Sequence, residues 1–249
     1  MNATLLVMRR DQRELCSTTA FRILLAVSAL IALGASAAIS IALRRQAWYG
    51  EPAARPVLEL ILGLVVYFVP LLVLVAFIWA FASLPIVQEK ANGNLECLLA
   101  TPLRPLQLWV GKGLAVFLPS LVLCVLATLF VCFAVNLAAV RPGWNTWVLP
   151  VPALVTGLLV NPLLFAALLA FVILVAMTRD PDLAIAPSLL VGFGLMMGMP
   201  VGVMTGHIDL GSWSFVAWYL AGAGVAWALV LALSGLLTRQ AIVLSSRGG

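Results

Sequence analysis

His207 and Asp209 are a pair of side chains whose types could support acid–base or metal chemistry. Ser212 and Ser214 follow closely, so a hydrolytic centre is one interpretation of this stretch. A metal site needs three or four ligands, and an activated nucleophile needs a base that a third group orients. The sequence shows neither near this histidine. We therefore interpret these residues as polar side chains of a loop and expect no catalytic site in the chain.

The cysteines and the missing nucleotide motif narrow the chemistry further. Cys16, Cys97, Cys124 and Cys132 have no CxxC spacing, which predicts neither disulfides nor a metal cluster. The sequence lacks the phosphate-binding pattern GxxxxGK[ST] and has no polar segment long enough for a nucleotide-binding domain. We expect no cofactor in this chain, and any energy source has to arrive on another chain.

The segment 88–105, "QEKANGNLECLLATPLRP", concentrates charge and helix signals in a chain that otherwise avoids charge. Gly93 permits a turn, Asn94 can cap a helix that starts at Leu95, and Pro102 disfavours helix at the residue before it. A helix of under two turns is not stable alone in water. Docking of a soluble partner on the cytoplasmic face is therefore the favoured interpretation, and an ordinary loop between helices is the alternative.

The elements around this segment are membrane helices. The chain is 64% hydrophobic and 9% charged, which is far too apolar for a water-soluble domain of 249 residues. Charge-free runs reach the roughly 20 residues that a spanning helix needs. They predict an all-α integral membrane protein with one domain over residues 1–249 and six spans, at 21–43, 59–84, 106–137, 152–177, 183–206 and 213–238.

Basic residues predict the orientation of these spans. With both termini in the cytoplasm, the inner segments carry ten of the 14 Lys and Arg residues: Arg9, Arg10, Arg13, Arg22, Lys90, Arg104, Lys112, Arg179, Arg239 and Arg247. The outer segments carry Arg44, Arg45, Arg55 and Arg141. The positive-inside rule favours this arrangement, in a cell (inner) membrane. The net charge of +5 then needs no nucleic acid to explain it.

Two segments outside the regular spans leave alternatives. Residues 1–20 mix charge with apolar side chains, which predicts an amphipathic helix on the membrane surface, with a disordered leader as the alternative. We expect this segment to be retained and not cleaved as a signal peptide. Between Pro187 and His207 the chain carries five glycines, so a re-entrant hairpin between the fifth and sixth spans is an alternative to a full crossing.

Asn161–Pro162 predicts a bend in the fourth span, because proline lacks the backbone donor that a helix needs. The bend and the polar side chain of Asn136 are candidates for a gate or a substrate path, although neighbouring helices often simply tolerate such prolines. The middles of the spans hold no ionisable group, which disfavours ion-coupled transport. A path without fixed charges suits apolar or amphipathic cargo.

The stretch 88–112, "QEKANGNLECLLATPLRPLQLWVGK", resembles the segment between the second and third spans of ABC-2 type transporter permeases. The matching positions are Glu89, Lys90, Gly93, Leu95, Glu96, Leu98, Leu99, Thr101, Pro102, Gly111 and Lys112. Asn94 stands where the family often has Thr, and Ala91 stands where an acid is common. Asn caps a helix as well as Thr, whereas the second departure leaves the acidic cluster poorer.

The resemblance implies the membrane subunit of an ATP-binding-cassette exporter, with a short cytoplasmic coupling helix between spans two and three. A separate cytoplasmic ATPase then binds ATP and Mg, and a second permease copy or a paralogue completes the path. The ATPase-coupling residues implied are Glu89, Lys90, Gly93, Asn94, Leu95, Glu96, Leu98, Leu99, Pro102, Arg179 and Asp180. A non-transporting membrane anchor that docks an ATPase for assembly or signalling is the alternative function.

Overall fold

The computed structural model describes residues 3–81, 104–178 and 182–237, and the regular elements in these ranges are all helical. In chain order they are α1 (Ala3–Ser17), α2 (Thr19–Arg44), α3 (Arg55–Phe81), α4 (Pro105–Val135), α5 (Arg141–Trp144), α6 (Val151–Val155), α7 (Asn161–Thr178), α8 (Asp182–Met204) and α9 (Trp213–Leu233). Wide π-helical turns at Asn136–Val140 and Thr156–Val160 join α4 to α5 and α6 to α7. Single 3₁₀ turns lie at Pro52–Ala54 and Ser234–Leu236.

Five helical stretches in the described ranges are long and apolar enough to cross a membrane. They are Thr19–Arg44, Pro52–Phe81, Pro105–Trp144, Val151–Thr178 and Trp213–Leu233. α8 is a helix of 23 residues that overlaps the predicted span 183–206. The described ranges are therefore all-helical, and the chain is a multi-pass membrane protein.

The ends of these helices follow local capping chemistry. The Thr18 hydroxyl accepts a hydrogen bond from the Phe21 amide at 3.2 Å, and the Ser212 hydroxyl accepts one from the Phe215 amide at 3.3 Å. Both hydroxyls satisfy amides that have no partner within the first helical turn. Pro105 occupies the first position of α4, where a missing donor costs nothing. Short polar residues thus define where α2 and α9 begin.

The core lies around α3, which packs against α4, α7 and α8. Leu58, Leu62 and Leu71 of α3 are fully buried. α2 packs against α4 through small side chains at every fourth position, namely Ser28, Ala32, Ser36 and Ser40. Small residues let two membrane helices approach closely. The rest of α2, and most of α9, presents apolar side chains to the surroundings, as helices in contact with lipid do.

Both alternatives left by the sequence are decided in the described residues. Residues 3–17 form a helix rather than a disordered leader. The re-entrant hairpin between Pro187 and His207 is wrong, because α8 continues unbroken to Met204. The reversal comes afterwards, where Gly206 adopts a φ of +74° and Gly202 leaves room for Ile208 to fold back on the helix end. Glycines inside α8 are tolerated because the backbone hydrogen bonds of a membrane helix have no competing water.

Most of the predicted coupling segment lies outside the residues that the structure describes. Glu89 to Pro102, Arg179 and Asp180 lie outside the described residues, so the proposed coupling helix is not described. Arg104 and Pro105, which end the segment and start α4, are described. The backbone amide of Arg104 donates a hydrogen bond to the Gln107 side chain at 3.1 Å, which fixes the first turn of α4.

Candidate functional site

Two irregular helical segments meet where α3 crosses the chain between α6 and α7. Pro70 lies inside α3 and cannot donate the hydrogen bond that the Val66 carbonyl would otherwise accept. Gly157, in the turn Thr156–Val160, lies against this carbonyl: a Cβ atom at position 157 would stand 2.5 Å from the Val66 oxygen. Only glycine permits this approach, so the two irregular segments fit together closely.

The predicted bend at Asn161–Pro162 takes the form of a π-helical turn. The Asn161 amide donates to the carbonyl of Thr156, five residues back, and Pro162 follows without a donor. The same arrangement occurs before Pro142, where the Arg141 amide donates to the carbonyl of Asn136. Each wide turn makes room for a proline ring without ending the helical path. Such turns are frequent at functional sites in proteins.

Asn161 is the centre of a buried polar network. Its side chain is fully buried, and its Nδ2 donates to the Tyr67 carbonyl at 3.2 Å. The Tyr219 hydroxyl donates to Asn161 Oδ1 at 2.8 Å and lies 3.4 Å from the Tyr67 hydroxyl. These contacts tie α3, α7 and α9 together in an otherwise apolar interior. Any rearrangement of the three helices has to break or exchange these hydrogen bonds.

Asn136, the second predicted path residue, belongs to a different network. Its Nδ2 donates to the carbonyls of Cys132 at 2.9 Å and Val148 at 3.1 Å, while its Oδ1 accepts from the Val148 amide at 3.0 Å. These bonds fasten the end of α4 to the extended residues ahead of α6. The structure therefore does not bring Asn136 and Asn161 into one site.

The Gly-Lys pair of the family-like segment seats α1 on α4. A Cβ atom at Gly111 would lie 3.0 Å from Val7 and 3.1 Å from the carbonyl oxygen of Thr4, so α1 is in direct contact with the α4 backbone. Lys112 Nζ lies 3.0 Å from Asp11 Oδ2, and the two side chains are only 7% and 17% exposed. Removing one partner of such a shielded pair strongly destabilises the protein, because the other charge is left buried without compensation. α1 and α4 are therefore joined as one body.

The opposite end of the bundle is held by side chains that donate to backbone carbonyls. The Arg44 guanidinium donates from Nε to the Ala138 carbonyl at 2.9 Å, and this carbonyl lies four residues before Pro142. Tyr49 donates its hydroxyl to the next carbonyl, Ala139, at 2.8 Å. The indole of Trp144 donates to the Glu51 carbonyl at 2.9 Å. These bonds join the α2–α3 connection to the end of α4.

His207 and Asp209 lie in the exposed turn between α8 and α9. The His207 ring nitrogen Nδ1 is 3.0 Å from the Thr205 hydroxyl, and Asp209 Oδ1 accepts from the Gly211 amide at 2.8 Å. Ser212 caps α9, as described above. Each of these side chains thus completes the turn, and in the structure they do not converge on a common point.

Sequence reasoning missed several residues that the structure brings together. Tyr67 and Tyr219 are two of the three tyrosines in the chain, and both lie within otherwise apolar runs. A buried phenol usually needs a hydrogen-bond partner, so this was a usable signal. Asp11 is a partner of Lys112 and is one of two acidic residues, with Glu14, in a leader that carries Arg9, Arg10 and Arg13. Gly157 carried no signal, because its role depends on a contact with a distant helix.

Fold and site define a helical multi-pass protein whose spans carry proline irregularities and a buried polar network. Residues 58–221 match the model of a family described as ABC-2 family transporter protein. The match covers about two thirds of the 249 residues, and the chain belongs to this family. It confirms the resemblance drawn from the segment at 88–112 and assigns the chain to the permeases of ABC transporters. Comparison with curated proteins and with solved structures found no match.

Proposed function

We propose that this chain is the membrane-spanning subunit of an ATP-binding-cassette exporter, and that a separate cytoplasmic ATPase drives transport. The observation that carries the proposal is membership of the ABC-2 transporter family over residues 58–221. The sequence shows no phosphate-binding loop, so the partner binds ATP and Mg and hydrolyses the ATP. The chain lies in the cell (inner) membrane with both termini in the cytoplasm. Two copies, or one copy and a paralogue, enclose the transport path.

The ATPase docks on the segment 88–105. Closure of the ATPase dimer upon ATP binding moves this segment, and α4 follows because it begins at Pro105. The Asp11–Lys112 pair and the close contact at Gly111 support a further step, in which α1 moves with α4. The movement then reaches the α3–α7–α9 network, whose hydrogen bonds exchange between inward-closed and outward-open states.

The cargo is apolar or amphipathic, such as a lipid, drug or peptide natural product. The described spans place no Asp, Glu, Lys, Arg or His side chain in their middles; the buried Lys112 lies near the start of α4, and the other buried polar groups there are amides and hydroxyls. The family resemblance also admits polysaccharides and ions. Transport of these would need polar groups lining a path between two copies.

The decisive experiment combines the permease and its ATPase in liposomes and compares Glu89→Ala with Glu51→Ala. Loss of a charge-assisted contact at Glu89 costs roughly 1–3 kcal/mol of docking free energy, enough to uncouple the subunits without unfolding the spans. We expect Glu89→Ala to insert normally, to lose most transport, and to lose the stimulation of ATP hydrolysis by the permease.

Glu51 is the matched control, because its side chain is exposed and its hydrogen bonds are made by the backbone: its carbonyl accepts from the Trp144 indole and the Ala54 amide, and its amide donates to the Trp48 carbonyl. Its replacement should leave transport unchanged. Equal transport by both variants and the parent contradicts the coupling role of the segment. ATP hydrolysis without any transport, over a panel of amphipathic substrates, favours the alternative of an anchor that docks an ATPase.

A further inference from the structure

A groove of about 420 Å³ runs along one face of α4, between this helix and the helices α7 and α9. Its floor is formed by buried side chains, including Trp109 and Leu169. Its rim is formed by exposed side chains, including Leu106 at 52% and Leu231 at 58% exposure. The groove therefore opens sideways, toward the surroundings of the bundle. Its size falls in the range of ligand-binding pockets.

The lining of the groove offers no free hydrogen-bonding group. The two indoles that border it both donate inward to the backbone: Trp109 Nε1 to the Ala170 carbonyl at 2.8 Å, and Trp227 Nε1 to the Leu163 carbonyl at 3.0 Å. The remaining lining residues are aliphatic or phenyl side chains, or glycine. A polar or charged group placed here loses its hydration without compensation. The groove is chemically matched to hydrocarbon.

The dimensions of the groove relate it to one leaflet of a bilayer. It extends along α4 from Leu106 to Phe117, which at 1.5 Å per residue is about 17 Å. Half of a hydrocarbon core is about 15 Å. Leu106 lies two residues after the exposed Arg104, and Phe117 lies farther along α4, beyond the Lys112–Asp11 pair. An acyl chain that enters beside Arg104 can lie along the whole groove.

Charge at the open end selects among lipids. The side chain of Arg104 is exposed, and the residues that line the groove carry no charge. A cation at the headgroup level attracts anionic lipid through short-range electrostatics. We propose that this groove binds one acyl chain of an anionic phospholipid from the leaflet on the Arg104 side, with the headgroup phosphate near Arg104. The site does not depend on the direction of transport or on the identity of the cargo.

The test uses full-length protein in bilayers that contain phosphatidylglycerol or phosphatidylcholine with a photoactivatable diazirine in the middle of the acyl chain. We expect labelling by the phosphatidylglycerol probe to concentrate on residues 106–117 and 227–231. Ala166→Phe fills the groove from α7 and should lower this labelling by about fivefold or more. Arg104→Gln should equalise labelling by the two lipids while leaving the chain in the groove.

Two further variants keep the test decisive. Gly113→Leu fills the groove from α4, where the first added carbon has room at 3.9 Å from Ile173, and it replaces Ala166→Phe if that variant does not fold. Ala38→Phe makes the same kind of change on an exposed position of α2 and should leave labelling of the groove unchanged. Labelling that is even over all lipid-facing helices, and that neither groove variant lowers, overturns the site. Equal labelling of the parent by both lipids overturns the role of Arg104.

Discussion

At the scale of single residues, the Tyr219 hydroxyl is the group whose removal tests the buried polar network. Tyr219→Phe leaves Asn161 Oδ1 buried without its donor at 2.8 Å and also removes the contact with Tyr67. An unpaired buried acceptor costs about 1–3 kcal/mol in general, and hydrogen bonds inside membranes fall at the low end of that range. We expect the free energy of unfolding to fall by about 1 kcal/mol, measured as a lower melting temperature in detergent.

Trp218→Phe is the matched control, since Trp218 precedes Tyr219 on α9 and is 79% exposed. It should melt close to the parent. If the two variants have the same melting temperature, the network does not stabilise the bundle. The proposal that its hydrogen bonds exchange during transport is then contradicted as well.

The same residues show how far sequence reasoning reached. Asn161 and Pro162 were singled out because an X-Pro step breaks helical hydrogen bonding locally, and the structure places a π-helical turn there. The partners of Asn161 were missed because they come from α3 and α9, about 94 and 58 residues away in sequence. Local chemistry marks the irregular residue, whereas only packing decides which side chains satisfy it.

At the scale of elements, the crossing of α3 with the turn before α7 depends on Gly157. In Gly157→Ala the added carbon meets the Val66 carbonyl oxygen at 2.5 Å, and since this oxygen is backbone, the helices have to separate. We expect reduced melting temperature and reduced transport, because the Asn161 hydrogen bonds start in the same turn. Gly222→Ala on α9 is the control, where nothing lies within 4 Å of the new carbon.

Alanine favours helix over glycine by about 1 kcal/mol, so Gly222→Ala should melt at or slightly above the parent. If Gly157→Ala instead had the higher melting temperature of the two variants, the close contact between Gly157 and Val66 would not limit the stability of the bundle. Both substitutions add one methyl group to a helix of the bundle. A difference in melting temperature between the two variants therefore cannot come from the hydrophobicity or the size of the added group.

The elements themselves were largely predictable, and the reason is physical. A membrane helix has to satisfy every backbone group internally, so long apolar runs have few alternatives to helix. The predicted start of the last span and the observed start of α9 are both at Trp213, next to its Ser212 cap. α8 was harder to predict, because its glycines and Pro200 suggested a break in the helix. In an apolar environment the helix continues through these residues.

At the scale of the whole molecule, the charge distribution predicts which side faces outward. Gln46 and His207 are exposed in connections at one end of the bundle, and Ser17 is exposed at the other. In a cysteine-free background, cysteines at Gln46 and His207 should react with an impermeant thiol reagent added to intact cells. A cysteine at Ser17 should react only after the membrane is opened. The reverse pattern overturns the orientation with cytoplasmic termini.

The described ranges contain apolar grooves on the outside of the bundle, and these bear on where cargo could pass. One groove lies beside α4, α7 and α9 and another lies beside α2 and α3, and the buried side chain of Asn161 is bonded to the neighbouring helices α3 and α9. Exposed faces such as that of α2 are available for pairing or for lipid, and we expect the path for cargo to form between copies.

We accordingly expect a membrane core of two permease chains with two ATPase subunits. Native mass spectrometry of the complex, released from lipid under conditions that preserve ATP hydrolysis, measures this composition directly. A matched sample with Glu89→Ala should retain the pair of permease chains while losing ATPase subunits, since pairing occurs within the bilayer and docking occurs at the segment 88–105. An active complex with one permease chain and one ATPase contradicts the dimer. In that case the path has to lie within one copy, and the Asn161 network is where it would have to open.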